Sequence, residues 1–167
     1  MRGLSLLLGA CGAVAALLAW QMLAAAFPPD PAAASTAVRL GRACAALLPG
    51  VAVLALMLLA QMAGRIAAGA FDPLAGRETR FLLVNQRAID NTLEQLAIFA
   101  PSLLALAAAV DSGGVPAVMA LGVVFAGARL LFWAGYLAAP LGRAPGMAAT
   151  LATSLGTLLA AFWHWMQ

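Results

Sequence analysis

Five apolar stretches, each about as long as a bilayer core is thick, run between Gly3 and Trp165, separated by short polar or Pro/Gly-rich segments. A helix needs about 20 mostly apolar residues to cross that core. Inside lipid every backbone N–H and C=O must find a partner, which a lone segment can do only as a helix. Burying the same stretches in a water-soluble core fails on surface area. Hydrophobic residues make up 65% of the chain and charged ones 9%, whereas soluble domains carry about 25% charged residues. One domain of this length cannot hide so much apolar surface from water. The sequence therefore reads as an all-α, polytopic membrane protein.

The breaks between stretches set the expected boundaries. The first span covers Gly3 to Phe27 and stops at Pro28-Pro29-Asp30-Pro31. The second runs from Ala43 to about Ala63, with Arg39 and Arg42 before it and Arg65 after it. A polar stretch from Phe71 to about Asn85, containing Asp72-Pro73 and Gly76, has loop composition, and the third helix begins within it, near Arg80, and ends at Val110. Asp111-Ser112-Gly113-Gly114 predicts a tight turn, and Pro116 suits the first turn of a fourth helix reaching Ala139. Pro140, Gly142, Pro145 and Gly146 mark the last turn, and the fifth helix covers Ala144 to Trp165. The first span has a competing reading as a signal-like segment, with Met1-Arg2 ahead of it and Ala24-Ala25-Ala26 as a cleavage site. Its apolar run exceeds the roughly 7 to 15 residues of a signal core, which favours a retained helix.

Every basic charge is an arginine, and these lie between apolar runs without forming a basic stripe, so nucleic-acid binding is excluded as a reading. A lysine-free chain rich in Ala, Gly and Arg points to a GC-rich, bacterial genome. With five spans, one membrane side holds Arg2, Arg65, Arg77, Arg80, Arg87 and Arg143, while the other holds Arg39 and Arg42 with Asp30 and Asp111. The positive-inside rule assigns the first side to the cytoplasm, consistent with a bacterial inner-membrane protein. Trp163 and Trp165 suit an interfacial aromatic belt at the other side. Cys11 and Cys44 sit in apolar runs and read as small buried hydrophobes. With His164 as the only histidine, no metal site is expected.

The third and fourth helices break the apolar pattern. Arg87, Asn91 and Glu94 follow an i, i+4, i+7 spacing and share one helix face, with Asp90 beside them. Arg129 and Tyr136 are seven residues apart with Phe132 on the same stripe, and Arg143 follows in the turn. Two explanations compete. Arg87, Asp90 and Glu94 could pair along the helix surface, and Arg129 could pair with Glu94 as interhelical glue. Alternatively the group faces a polar site, since ionisable side chains within spans are costly and usually functional. The convergence of several arginines, a carboxylate, an amide and a phenol exceeds what a neutral ion pair requires. Arginine forks match carboxylates, Glu94 suits an ammonium, and Asn91 suits an amide. A zwitterionic peptide with two carboxylates fits that set, and glutathione is such a peptide.

These residues also carry a family resemblance. Arg87-Ala-Ile-Asp-Asn91-Thr-Leu-Glu94, followed by Phe99, resembles the R-x-x-x-N-x-x-E signature of the membrane-associated proteins in eicosanoid and glutathione metabolism. Arg129-Leu-Leu-Phe-Trp-Ala-Gly-Tyr136 and the later Arg143-Ala-Pro resemble a further motif of that family, including its leukotriene C4 synthase branch. The resemblance implies a four-helix membrane bundle over residues 40–167, with residues 1–30 as an added N-terminal transmembrane helix. It further implies a homotrimer with glutathione as co-substrate, bound between neighbouring subunits at the cytoplasmic side. Arg87, Asn91, Glu94, Arg129, Phe132 and Tyr136 would bind glutathione, and Arg143, or Arg129 as second choice, would stabilise its thiolate. Gln95 stands where an aromatic often follows the motif glutamate, and Phe132 where some members have a tyrosine. Met147 stands near a further arginine of the prostaglandin E synthase branch, which points away from that isomerisation.

The expected activity is a microsomal-glutathione-transferase-like conjugation or peroxide reduction, with a lipophilic small-molecule electrophile arriving from the surrounding membrane lipids. The alternative is a non-catalytic helix bundle that binds lipid or scaffolds a partner. Trp133, beside the motif residues, offers either a stacking surface for a co-substrate or a packing group.

Overall fold

The structure, a computed structural model, describes residues 2–72 and 76–167. Pro73 of the expected loop and the side chain of Arg2 lie outside the described residues. Five α-helices follow in chain order: α1 Arg2–Ala26, α2 Thr36–Ala68, α3 Arg80–Ala109, α4 Val115–Ala138 and α5 Arg143–Trp165. All five are long and apolar enough to cross a membrane.

Helix α2 starts seven residues before the expected Ala43. Ser35 caps it by accepting the Val38 amide at 3.3 Å. Arg39, expected to precede the helix, lies inside it because its guanidinium finds polar partners. Nε donates to the Ala107 carbonyl at 3.2 Å, and Nη1 to that of Ala34 at 2.8 Å. The cation thus serves terminal carbonyls at the C-terminal end of α3, where a positive charge interacts favourably with the helix dipole. Helix α3 begins at Arg80, capped by Thr79, so the polar residues up to Asn85 are its first turns. Asp111 caps the following 3-10 turn by accepting the Gly114 amide at 3.0 Å.

Helices α2, α3, α5 and α4 form a ring in which each packs on its two neighbours, and α3 and α4 also touch across it. The core between them holds Phe99, Leu103, Val118 and Phe125, with the Phe99 and Phe125 rings stacked 4.3 Å apart. Helix α1 lies outside the ring, against α5 and α4. Gly12 makes that approach possible, since a Cβ there would overlap the Pro145 backbone. The opposite face of α1 presents Leu6, Leu7, Leu18 and Met22 outward, an apolar surface that suits lipid rather than water. Cys11 and Cys44, expected to be buried, are exposed on these outer surfaces. A hydrophobic side chain gains nothing by leaving lipid for a protein core, so burial does not follow from its apolarity. Trp163 and Trp165 are exposed at the end of α5, where an interfacial belt was expected, and Trp165 ties that end to α3 through the Ala105 carbonyl at 3.0 Å.

Candidate functional site

Where the first turns of α3 and α5 meet the last turns of α4, the bundle opens into a cavity of about 390 Å³. Its walls are Arg87, Asp90, Asn91 and Glu94 from α3, Phe132 and Tyr136 from α4, and Arg143 and Met147 from α5. The i, i+4, i+7 stripe supplies the α3 wall because 3.6 residues per turn return those positions to one face. Helix α5 can lie close beside α4 because residue 146 is glycine, where a Cβ would overlap the Phe132 backbone. That approach brings Arg143 within 4.9 Å of the Tyr136 ring centroid. The Phe132 and Tyr136 rings stand 5.7 Å apart, tilted towards each other.

Arg129 occupies a different place from the other motif residues. It is fully buried and does not line the cavity but stands one layer behind it. Its Nε donates to the Thr150 hydroxyl at 2.9 Å and its Nη1 to Asn91 Oδ1 at 2.9 Å. The guanidinium carbon sits 4.4 Å over the Phe132 ring. Thus Arg129 orients two wall residues, Asn91 and Phe132, from behind. Its Nη2 has no hydrogen-bond partner among the described residues.

The charged walls are not paired with each other. The described ion pairs are Arg42–Asp30 at 2.7 Å and Arg65–Glu78 at 2.9 Å, both away from the cavity. Neither the pairing of Arg87 with its own helix nor an Arg129–Glu94 bridge forms among the described residues. Asp90 is held by Gln86 Nε2 at 2.9 Å. Asn91 Nδ2 reaches Glu94 Oε2 at 3.4 Å, a long contact. The arrangement therefore presents two guanidiniums and two carboxylates to one concavity, with a third guanidinium buried beside it.

Helix α5 adds a further electrostatic element. Its N-cap is Gly142, which offers no side-chain acceptor to the first-turn amides. The first helical residue is Arg143, a cation placed where the helix dipole prefers an anion. A helix N-terminus joined to an arginine is a site for external negative charge. As a purely local choice the residue is unfavourable, and such breaches of local preference concentrate at functional positions.

Two wall residues, Asp90 and Met147, were not among the expected binding residues. Their positions carried the signal: Asp90 is three residues from Arg87, and Met147 is four from Arg143, both on shared helix faces. Trp133 resolves to packing. Its Nε1 donates to Asn85 Oδ1 at 2.7 Å, which anchors α4 to α3.

The helical bundle matches the membrane fold that the sequence motifs imply, and comparison with known proteins narrows the assignment. No curated protein matches the chain significantly. The family model that does match spans residues 41–163, covering α3, α4 and all but the ends of α2 and α5 while leaving out α1. On that match, joined to a bundle of membrane-length helices, the chain belongs to the MAPEG family.

Proposed function

We propose that the chain is a glutathione-dependent membrane transferase or peroxidase acting on lipophilic electrophiles. The observation that carries this reading is the cavity wall itself, in which Arg87 and Arg143 face Asp90 and Glu94 without pairing, around the amide of Asn91. Its volume of about 390 Å³ falls within the roughly 300–1,000 Å³ of small-molecule sites. The charges match a carboxylate, the ammonium and the thiolate of glutathione, while Asp90 is occupied by Gln86. Arg87 takes a carboxylate, Glu94 the ammonium, and Asn91 a peptide amide. Arg129, buried with an unpartnered donor, holds Asn91 and Phe132 in place and adds positive potential behind the wall. In this reading it positions the binding residues rather than touching the thiol.

Arg143 and the uncapped start of α5 favour the thiolate over the thiol. The sulfur then attacks the electrophilic carbon. A C–S bond forms, and the leaving group departs with the bonding pair. With a hydroperoxide, sulfur attacks the distal oxygen, the O–O bond breaks, and the alkoxide leaves as an alcohol after protonation. A second glutathione converts the resulting sulfenic acid to the disulfide and water. Holding both reactants where α4 and α5 meet the membrane makes the encounter effectively unimolecular. The proposal includes a homotrimer in a bacterial inner membrane, the site facing the cytoplasm, and α1 as an addition to a domain spanning residues 40–167.

Ultraviolet difference spectroscopy of the detergent-solubilised protein tests the reading. Glutathione should produce thiolate absorbance, and a chloro-nitroarene should be conjugated. Arg143→Ala should lower turnover about 100-fold, as loss of one preorganised charge does, and abolish the absorbance while binding persists. Glu94→Ala should raise the glutathione Kd about tenfold. A silent titration without conjugation, or both variants retaining full activity, would sink the proposal.

A further inference from the structure

At the opposite face of the bundle, α1, the end of α3, α4 and the second half of α5 line another cavity, half open to the outside, of about 930 Å³. Its walls are apolar, with Leu17, Val110 and Leu121 among them, and its polar side chains are few. Thr153 and Thr157 carry no free donor, since each hydroxyl donates to the carbonyl four residues back, and they add no charge. Asp111 and His164 remain, from the α3–α4 turn and the last turn of α5. The cavity depends on α1, which is fastened over the groove by Trp20 Nε1 donating to the Ala117 carbonyl at 3.1 Å.

The dimensions and charge select an occupant. The α5 wall extends from Ala152 to His164, about 18 Å at the rise of an α-helix. One leaflet of hydrocarbon is roughly 15 Å deep, so the cavity follows a single leaflet from its polar surface inward. Asp111 Oδ1 accepts the Gly114 amide, and its carboxylate has no ion-pair partner among the described residues. Arg39, which reaches the end of α3, directs its donors to carbonyls and Thr36 and forms no ion pair with Asp111 among the described residues. An unpaired carboxylate beside an apolar slot repels a fatty acid or a glycerol-headed anionic lipid and attracts an ammonium.

We propose that this cavity holds an acyl chain of a phospholipid whose headgroup ends in a primary ammonium. Asp111 accepts from the ammonium, and the His164 imidazole donates to the phosphodiester. The site is separate from the arginine cavity and stands independently of the glutathione reading.

Native mass spectrometry of the full chain, released from detergent containing equal phosphatidylethanolamine and phosphatidylglycerol with matched acyl chains, tests it. The wild type should retain the ethanolamine lipid about threefold over the glycerol lipid, the scale of one exposed ion pair. Asp111→Asn keeps an acceptor for the Gly114 amide and should bring the ratio near one. Gly156→Phe builds into open space within the cavity and should remove both adducts. Equal retention by the wild type, an unchanged ratio in Asp111→Asn, or adducts persisting in Gly156→Phe would each overturn the proposal. Should Gly156→Phe fail to fold, the first two measurements still decide it.

Discussion

Asn85 and Arg129 are both fully buried polar side chains of the same bundle, yet their hydrogen-bonding is opposite in kind. Asn85 is complete. Its Nδ2 donates to Gln61 Oε1 at 2.8 Å and the Met57 carbonyl at 2.9 Å, and its Oδ1 accepts from Trp133. Arg129 is incomplete: a buried cation with no carboxylate beside it and one idle donor among the described residues. A closed polar network in a low-dielectric interior fixes helix register and asks for nothing more. A buried charge without its counter-charge is expensive, and its retention points to something outside the chain that completes it. The first network belongs to the scaffold and the second to the site.

The largest expected effect separates the two directly. Asn85→Leu strands the Trp133 indole N–H and the Gln61 amide oxygen. At about 1–3 kcal/mol for each unsatisfied group, the loss of stability is about 3 kcal/mol. Thermal unfolding in detergent should register it as a marked fall in midpoint. Bound glutathione should not change the size of that fall, because the network is closed without ligand. A midpoint near that of the wild type would mean the network contributes little to register.

Arg129→Met should behave the other way. Replacing an uncompensated buried charge with an apolar chain of similar reach is often neutral or stabilising, and methionine sulfur keeps a contact with Phe132. Thr150 still donates to the Gly146 carbonyl, and Asn91 is only half-buried, so no donor is stranded. The midpoint should hold or rise, while glutathione affinity falls about tenfold because Asn91 and Phe132 lose their support. A fall in midpoint to match Asn85→Leu, with affinity unchanged, would place Arg129 with the scaffold and erase the distinction.

The same contrast explains what could be read from the sequence. Membrane-length apolar runs are unambiguous, so the five helices and their order were legible. The α3 face was legible too, because Arg87, Asn91 and Glu94 recur at helical spacing against an apolar background. Depth was not. The stripe of Arg129, Phe132 and Tyr136 predicts a shared direction, but only the close α4–α5 approach at Gly146 sets Arg129 behind the wall and Tyr136 on it. The Asn85 network is not legible in the sequence because its members stand on three helices, and no spacing within one helix links Gln61, Asn85 and Trp133. The seat of α1 was equally hidden. A run of Ala, Gly and Leu has no polar face to point away from lipid, so which side docks is decided by Gly12 meeting Pro145 and Trp20 reaching Ala117.

The smallest expected effect calibrates the other two. Arg42 and Asp30 form a short ion pair, 2.7 Å apart, but half of the Arg42 side chain is exposed. Outside the apolar core, water screens the attraction, and ordering two side chains offsets much of what remains. Arg42→Ala should shift stability by no more than about 0.5 kcal/mol, without altering glutathione affinity. Placed beside the Asn85 variant, this result makes burial, not the count of polar contacts, the quantity that scales with stability. A loss as large as that of Asn85→Leu would mean that the pair anchors the α1–α2 connection. Polar contacts at the two membrane faces would then have to be weighed equally, and the open state of Arg129 would lose its value as a marker of the site.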